Sequence, residues 1–238
     1  MSGRVGSSER THLLWRIHQR YHTCHQLLEI GALKIDFTRI ADPDRVLDDA
    51  AAAEGKSPNR PQVPYWAELW DSALGLAAWL ANAPEPLAVS HAPPRQTRVL
   101  DLGCGMGLAG TVAAALGARV MFADLEPLAL LFARLNSLPW QDRIDARRVD
   151  WRRDSLGRTY DLILGADILY ERSQWEFLDS FWRAHLDASG AVLLGEPGRQ
   201  TGDQFVEWIV DRRWRLARTE QRIAQREQPV RIFSLRRK

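Results

Sequence analysis

Val99-Leu100-Asp101-Leu102-Gly103-Cys104-Gly105-Met106-Gly107 is an apolar strand that ends near an acidic residue and runs straight into three alternating glycines. Glycine lets a backbone turn sharply and leaves no side chain between the loop and a ligand, so Gly103, Gly105 and Gly107 are expected to form a binding loop. Asp101 narrows the choice of ligand. A carboxylate at a strand tip favours an ammonium group and penalises a pyrophosphate, which is better served by bare amides at a helix N-terminus.

Outward from this stretch the pattern alternates strand and helix. Strands are predicted over 98–102, 119–123, 145–149, 160–166 and 191–195, with helices over 108–116 and 127–138, the second opened by Pro127. The apolar run 160–166 predicts a strand buried on both faces. Ser173-Gln174-Trp175-Glu176 and Thr201-Gly202-Asp203-Gln204 read as capping patterns for two further helices. The last two strands, 214–222 and 230–235, have only 223–229 between them. No crossover helix fits there, so they should pair antiparallel. The fold class is therefore α/β: a Rossmann-like, doubly wound, seven-stranded, mostly parallel sheet with a C-terminal antiparallel hairpin.

Before this domain, helical spacing covers 9–23, and 26–30 with 33–40 alternate as a β-hairpin. The acidic, alanine-rich and then proline-studded segment 42–64 reads as a mobile loop of the kind that serves as a lid. A helix is predicted over 65–80, followed by a proline-broken linker over 83–96. The division is an N-terminal extension, 1–64, and a ligand-binding domain, 65–238.

The 238 residues suffice for one substantial domain, and 32 Lys and Arg against 30 Asp and Glu give a formal charge of +2. That balance argues against a nucleic-acid or membrane partner. Arg147, Arg148, Arg152 and Arg153 read as a solvated face. Two cysteines, Cys24 and Cys104, argue against a structural disulfide, and no stretch is long and apolar enough to span a bilayer, so a soluble cytoplasmic protein is expected. His18, His22 and His25 would share one face if the first helix reached them. No carboxylate joins that face, and no metal is expected.

In an open parallel sheet the ligand lies across the carboxyl ends of the strands. Four predicted strands end in acids there: Asp101, Asp124, Asp150 and Asp167. Asp124, with Leu125 beside it, suits the two hydroxyls of a ribose. Asp150 suits an adenine amine, with Trp151 covering the base. Together with Asp101 and the glycine loop these describe S-adenosylmethionine. Gly105-Met106-Gly107-Leu108-Ala109-Gly110 also fits a dinucleotide fingerprint, but Asp101 before the loop and the closing hairpin favour the methyl donor. Asp150 as a turn cap and Asp167 as the acid of a helix N-terminus remain the structural alternatives.

These motifs resemble the class I, seven-strand S-adenosylmethionine methyltransferases over about residues 65–238. Asp167-Ile168-Leu169-Tyr170 resembles the Asp-x-x-Tyr signature of the protein lysine methyltransferase branch. Pro64-Tyr65-Trp66-Ala67-Glu68-Leu69-Trp70 and Glu196-Pro197-Gly198-Arg199 are similar to segments of the methyltransferases that modify lysines of the electron transfer flavoprotein β subunit, in which Asp usually stands where this chain has Glu196. The resemblance implies catalytic roles for Asp167, holding an incoming ammonium, and Tyr170, shaping the channel, with Glu171 adding negative potential. Trp66 and Trp70 are candidates to line the pocket, and Arg199 either binds an acidic substrate group or forms an ion pair. The implied acceptor is a protein lysine. A small-molecule amine or carboxylate is the alternative, and a non-catalytic cofactor-binding protein is the alternative of another class. Ile168 and Leu169 stand where methyltransferases of base amines carry prolines, which counts against nucleic acid.

Overall fold

The computed structural model describes residues 2–54, 64–83, 95–224 and 226–238. Seven strands form one sheet: β3 (Arg98–Leu102), β4 (Arg119–Asp124), β5 (Ile144–Arg148), β6 (Tyr160–Ala166), β7 (Leu186–Glu196), β8 (Trp214–Gln221) and β9 (Val230–Arg237). Their spatial order is β5-β4-β3-β6-β7-β9-β8. β5, β4, β3, β6 and β7 run parallel, and β9 pairs antiparallel with both β7 and β8. This is the expected doubly wound sheet with its antiparallel end.

Alternation along the central strands buries both faces. Leu162 and Leu164 of β6 join the cluster beneath α3 (Asp71–Asn82), α4 (Leu108–Ala115) and α5 (Pro127–Asn136), while Ile163 joins the opposite one. That opposite cluster is closed by Trp175, Leu178 and Trp182 of α6 (Trp175–His185) and by Phe205 and Ile209 of α7 (Gln200–Val210). Such period-two burial on both faces is what a parallel sheet between helical layers requires.

The N-terminal residues form α1 (Ser2–His18), the antiparallel hairpin β1 (Thr23–Ile30) and β2 (Leu33–Ile40), and α2 (Pro43–Glu54). Leu13 and Ile17 of α1 and Ile35 and Phe37 of β2 are buried in the same apolar cluster as α4 and α5. One buried side chain links the hairpin to the glycine loop. Asn136 Oδ1 accepts the Thr38 N–H at 2.8 Å, and its Nδ2 donates to the carbonyls of Thr38 at 3.1 Å and Met106 at 3.0 Å.

Several local expectations are corrected. Over 42–64 the chain is not a loop throughout: α2 forms because Asp42 Oδ1 accepts the Arg45 N–H at 3.1 Å, Pro43 opens the helix, and an alanine run extends it. Residues 55–63, where the proline-rich part of that segment falls, and most of the 83–96 linker lie outside the described residues. The helix predicted over 65–80 is broken. Tyr65–Ala67 is a 3₁₀ turn, Glu68 is extended, and α3 starts only at Asp71, because Trp66 and Ala67 turn into the core and Trp70 Nε1 ties back to the Tyr65 carbonyl at 2.7 Å. Neither capping pattern operates: Ser173 Oγ donates to Glu171, α6 begins at Trp175, and α7 begins at Gln200 without a side-chain cap. α1 stops at His18, so His18, His22 and His25 do not share a helix face. Among the described residues no group of His, Cys, Asp and Glu is arranged to hold a metal.

Replacing Asn136 with Ala would leave three backbone groups without this partner. At ~1–3 kcal/mol for an unsatisfied buried group, partly relieved by relaxation, Asn136→Ala is expected to lower unfolding stability by about 3 kcal/mol, read from the urea midpoint. A shift under about 0.5 kcal/mol would show that the link carries little.

Candidate active site

Five adjacent parallel strands bring five buried acids to one edge of the sheet. In spatial order they are Asp150 just beyond β5, Asp124 ending β4, Asp101 in β3, Asp167 just beyond β6 and Glu196 ending β7. Each sits at or just past the carboxyl end of its strand, or within it for Asp101, and buried carboxylates need partners. The partners differ systematically along the row.

At the outer positions the partner is arginine. Asp150 Oδ1 accepts the Arg152 backbone N–H at 3.1 Å and Nε at 2.8 Å, while its Oδ2 accepts Arg152 Nη2 and Arg153 Nε, both at 2.8 Å. The Arg152 side chain is the main reason that this carboxyl is held well below the usual range. With these donors its lone pairs are filled, so the geometry matches the turn-capping alternative rather than acceptance from an adenine amine. It also gives Arg152 and Arg153, read as a solvated face, a structural task. Glu196 accepts the backbone N–H groups of Gly198 at 2.8 Å and Arg199 at 2.7 Å and is ion-paired with Arg231. Asp167 Oδ1 is ion-paired with Arg199. This is the ion-pair alternative for Arg199, although its partner is a site acid rather than a surface group.

The two central acids have no cationic partner among the described residues. Asp101 Oδ2 accepts the Gly110 N–H at 2.8 Å, and Asp124 accepts from Gly105 and Glu126, each at 2.9 Å. Burial pushes the Asp101 carboxyl up to about 7 and the Asp124 carboxyl up to about 6, with those backbone bonds opposing the rise.

A cavity of about 680 Å³ opens above this edge. It collects Gly103, Gly105, Gly107, Asp124, Leu125, Asp150, Trp151, Asp167, Tyr170 and Trp70, with Trp66 and Glu171; of the candidate site residues read from the sequence, Asp101 and Arg199 do not line it. Asp101 instead lies buried in β3, where its carboxylate accepts the Gly110 N–H of α4. The glycines also divide. At Gly105 (φ +52°) a Cβ would meet only the Trp66 backbone, in ordinary contact at 3.6 Å. At Gly107 (φ +82°) a Cβ would fall 2.6 Å from that of Ala133, so this glycine also serves the packing of α4 on α5.

The roof comes from the broken segment before α3. Tyr65, Trp66, Glu68, Leu69 and Trp70 line the cavity, and the exposed rings of Tyr65 and Tyr170 meet at 5.5 Å at its mouth. Trp151 Nε1 donates to Gln174 Oε1 at 3.1 Å, which fixes its ring beside Gly103. Burial pushes the Cys104 thiol up and the neighbouring Asp124 and Asp101 push it further, so it lines the cavity as a neutral group. Glu68, Glu126 and Gln174 were not foreseen. Glu196 was noted only as a departure from a motif, although its signal was present: β7, like its neighbours, is an apolar strand ending in an acid.

Asp167 is the most constrained residue of the row. Its φ of +57° is unusual for a non-glycine residue, and its N–H bonds the Gly195 carbonyl at 3.0 Å. Burial raises its pKa and Arg199 opposes the rise. Its Oδ2 is buried with no hydrogen-bond partner among the described residues.

Comparison with known proteins agrees with this geometry. The sheet order and the site at its carboxyl edge define a Rossmann-like protein of the methyltransferase type. The glycopeptide N-methyltransferase MtfA superposes with a TM-score of 0.56 at 16% identity, over 69% of this chain and 96% of that one, a likeness of fold. The lysine methyltransferase family profile matches residues 65–210, and the chain belongs to that family. Protein N-lysine methyltransferase METTL21A of Xenopus tropicalis is 38% identical over 141 residues, 56% of this chain and 60% of that protein. The electron transfer flavoprotein beta subunit lysine methyltransferase of Danio rerio is 32% identical over 142 residues, 57% of this chain and 51% of that protein. The chain thus spans little more than half the length of the relatives it matches.

Because Asp101 holds its proton to about pH 7 when folded, against 3.8 for an ordinary aspartate, the folded state binds the extra proton between those values. Stability should therefore fall as pH rises through that window, by up to ~1.4 kcal/mol per pH unit. Asp101→Asn keeps an acceptor for Gly110 and removes the ionisation. In the ligand-free protein the variant is expected to gain on wild type from pH 5 to pH 8, compared by urea midpoints, and a constant difference would refute the assignment.

Proposed function

We propose that the chain transfers a methyl group from S-adenosylmethionine to the side-chain amine of a lysine in a protein. The observation that carries this reading is the charge pattern of the row. Its outer acids are neutralised by the protein's own arginines, whereas Asp101 and Asp124, beneath the glycine loop, have no cation among the described residues. A buried pair of this kind suits a cationic ligand with hydroxyls to offer. The residues present fit such a group: the glycines that line the cavity put no side chain between the loop backbone and a ligand, and Trp151 beside Gly103 offers a flat apolar face.

Bound there, S-adenosylmethionine would supply a methyl group already made electrophilic by its sulfonium. Asp124 and Leu125 would hold the ribose, Trp151 would cover the base, Trp70 would close the cavity, and Gly103, Gly105 and Gly107 would cradle the amino-acid end over the field of Asp101. Asp150 braces the turn that presents Trp151. At the other end Asp167 would hold the acceptor's ammonium, and Tyr170 with Tyr65 would confine its aliphatic stem. Glu171 adds negative potential at the mouth. Little further chemistry is required of the protein, since positioning alone is worth roughly 7 to 11 kcal/mol. The acceptor must shed its proton to water at the cavity mouth before attack; burial of the amine favours that loss, while the charge of Asp167 opposes it.

Among the described residues no helix is long and apolar enough to cross a membrane. The free cysteines Cys24 and Cys104 support a reducing, cytoplasmic setting. The formal charge of +2 offers no case for a nucleic-acid substrate.

Binding of S-adenosylhomocysteine, followed by calorimetry, should weaken below pH 6, by up to tenfold per unit as Asp124 takes up its proton, and Asp124→Asn should weaken it at every pH. A dissociation constant independent of pH and of this substitution would remove Asp124 from the cofactor site. Incubation with methyl-labelled S-adenosylmethionine and a cell extract should place label on protein lysine. Label confined to small molecules would overturn the acceptor. Asp167→Ala is expected to bind S-adenosylhomocysteine within about threefold of wild type while losing at least 100-fold in transfer, and unaltered turnover would exclude Asp167 from the reaction.

A further inference from the structure

We propose that Arg199 is the positioning residue of the acceptor site: it grips Asp167 from outside the cavity, keeps that carboxylate charged, and leaves its second oxygen for the incoming ammonium. The inference deepens the lysine methyltransferase reading and rests on it.

The geometry separates the two partners. Asp167 lines the cavity and Arg199 does not, so the ion pair on Oδ1 does not fill the site. Oδ2 is buried and unpartnered among the described residues, in a residue only 8% exposed. A buried carboxylate with one oxygen gripped and the other bare is incomplete until a second donor arrives.

Arg199 is itself held on several sides. Its backbone N–H bonds Glu196 Oε1 at 2.7 Å, its carbonyl accepts Arg231 Nη2 at 2.7 Å, and its guanidinium lies 5.7 Å from the centre of the Trp70 ring. Glu196 and Arg231 are buried together in the space left by Gly202, where a Cβ would fall 2.5 Å from both side chains. Arg231 also pairs with Asp203 of α7. The buried pair Glu196–Arg231 therefore sets the Pro197–Gly198–Arg199 turn, and the turn delivers the guanidinium to Asp167.

The charged and titratable groups around Asp167 explain why this cation matters. Glu196 at the end of β7 and Asp71 at the start of α3 both push protons onto Asp167, Tyr170 lies on its own loop, and Arg199 opposes them. Asp71 is partly answered by Arg226, at 3.7 Å. Without Arg199, burial and two like charges would push the Asp167 carboxyl further toward its neutral form, and a neutral acid holds an ammonium poorly.

The test compares Arg199→Met and Arg199→Lys with wild type. In the ligand-free protein, the Asp167 carboxyl is followed by ¹³C NMR through a pH titration, its resonance assigned by its loss in Asp167→Asn. The Met variant should titrate at least one pH unit higher than wild type, and the Lys variant should recover most of the difference. The acidic limb of label transfer to extract protein should move by the same amount, with S-adenosylhomocysteine affinity within twofold of wild type. A Met variant with an unmoved carboxyl titration, or one whose cofactor affinity collapses along with transfer, would overturn the proposal. If wild type labels no protein lysine, the acceptor reading falls and the acceptor role of Arg199 falls with it, while the carboxyl titration separately decides whether Arg199 keeps Asp167 charged.

Discussion

The cost of burying carboxylates organises this protein. Five parallel strands converge on one edge, each carrying an acid into a place that water barely reaches. An isolated buried charge is far too unfavourable to persist, so every acid in the row must be bonded, paired or protonated. The chain uses all three solutions. Arg152 and Arg153 answer Asp150, Arg199 answers Asp167, and Arg231 answers Glu196. The central pair receives backbone amides alone, and burial drives it toward holding protons. The carboxyls that lack a cation among the described residues thus sit together beneath the glycine loop, beside the cavity at the sheet edge.

Much of this was legible in the sequence because it is local. Apolar strands ending in acids, Pro127 opening α5, and the short gap before β9 are neighbour relations along the chain, and they point to the edge of the sheet where the acids gather, though not to the spatial order of the strands. The collection of Asp124, Trp151, Asp167 and Tyr170 in one cavity follows from topology once the strands are parallel. What the sequence withheld is the pairing that folding imposes at a distance. Asp167 meets Arg199, 32 residues away, and Asn136 meets Thr38, 98 residues away. Asp150 shows the opposite failure. Its partners are adjacent in sequence, but arginines beside a strand end look the same whether they face water or fold back onto the acid.

The two N-terminal errors have opposite physical origins. Composition suggested that 42–64 would be loop, but Asp42 and Pro43 form a helix start, and such a start can outweigh the impression given by flanking prolines. The uninterrupted helix over 65–80 failed for the reverse reason. Periodicity there was genuine, yet sending Trp66 into the core and Trp70 back to the Tyr65 carbonyl is incompatible with a single helical path. That break turns Tyr65–Trp70 from a helix face into the roof of the cavity.

Asn136 gives the N-terminal hairpin a thermodynamic stake in a site it never touches. No residue of β1 or β2 lines the cavity, yet Thr38 and Met106 share the same amide side chain. Whatever steadies the Met106 carbonyl also steadies β2, and whatever loosens β2 loosens the loop, since coupling through a shared partner runs equally in both directions. The hairpin and the glycine loop are in that sense two ends of one tether, joined through a single amide side chain.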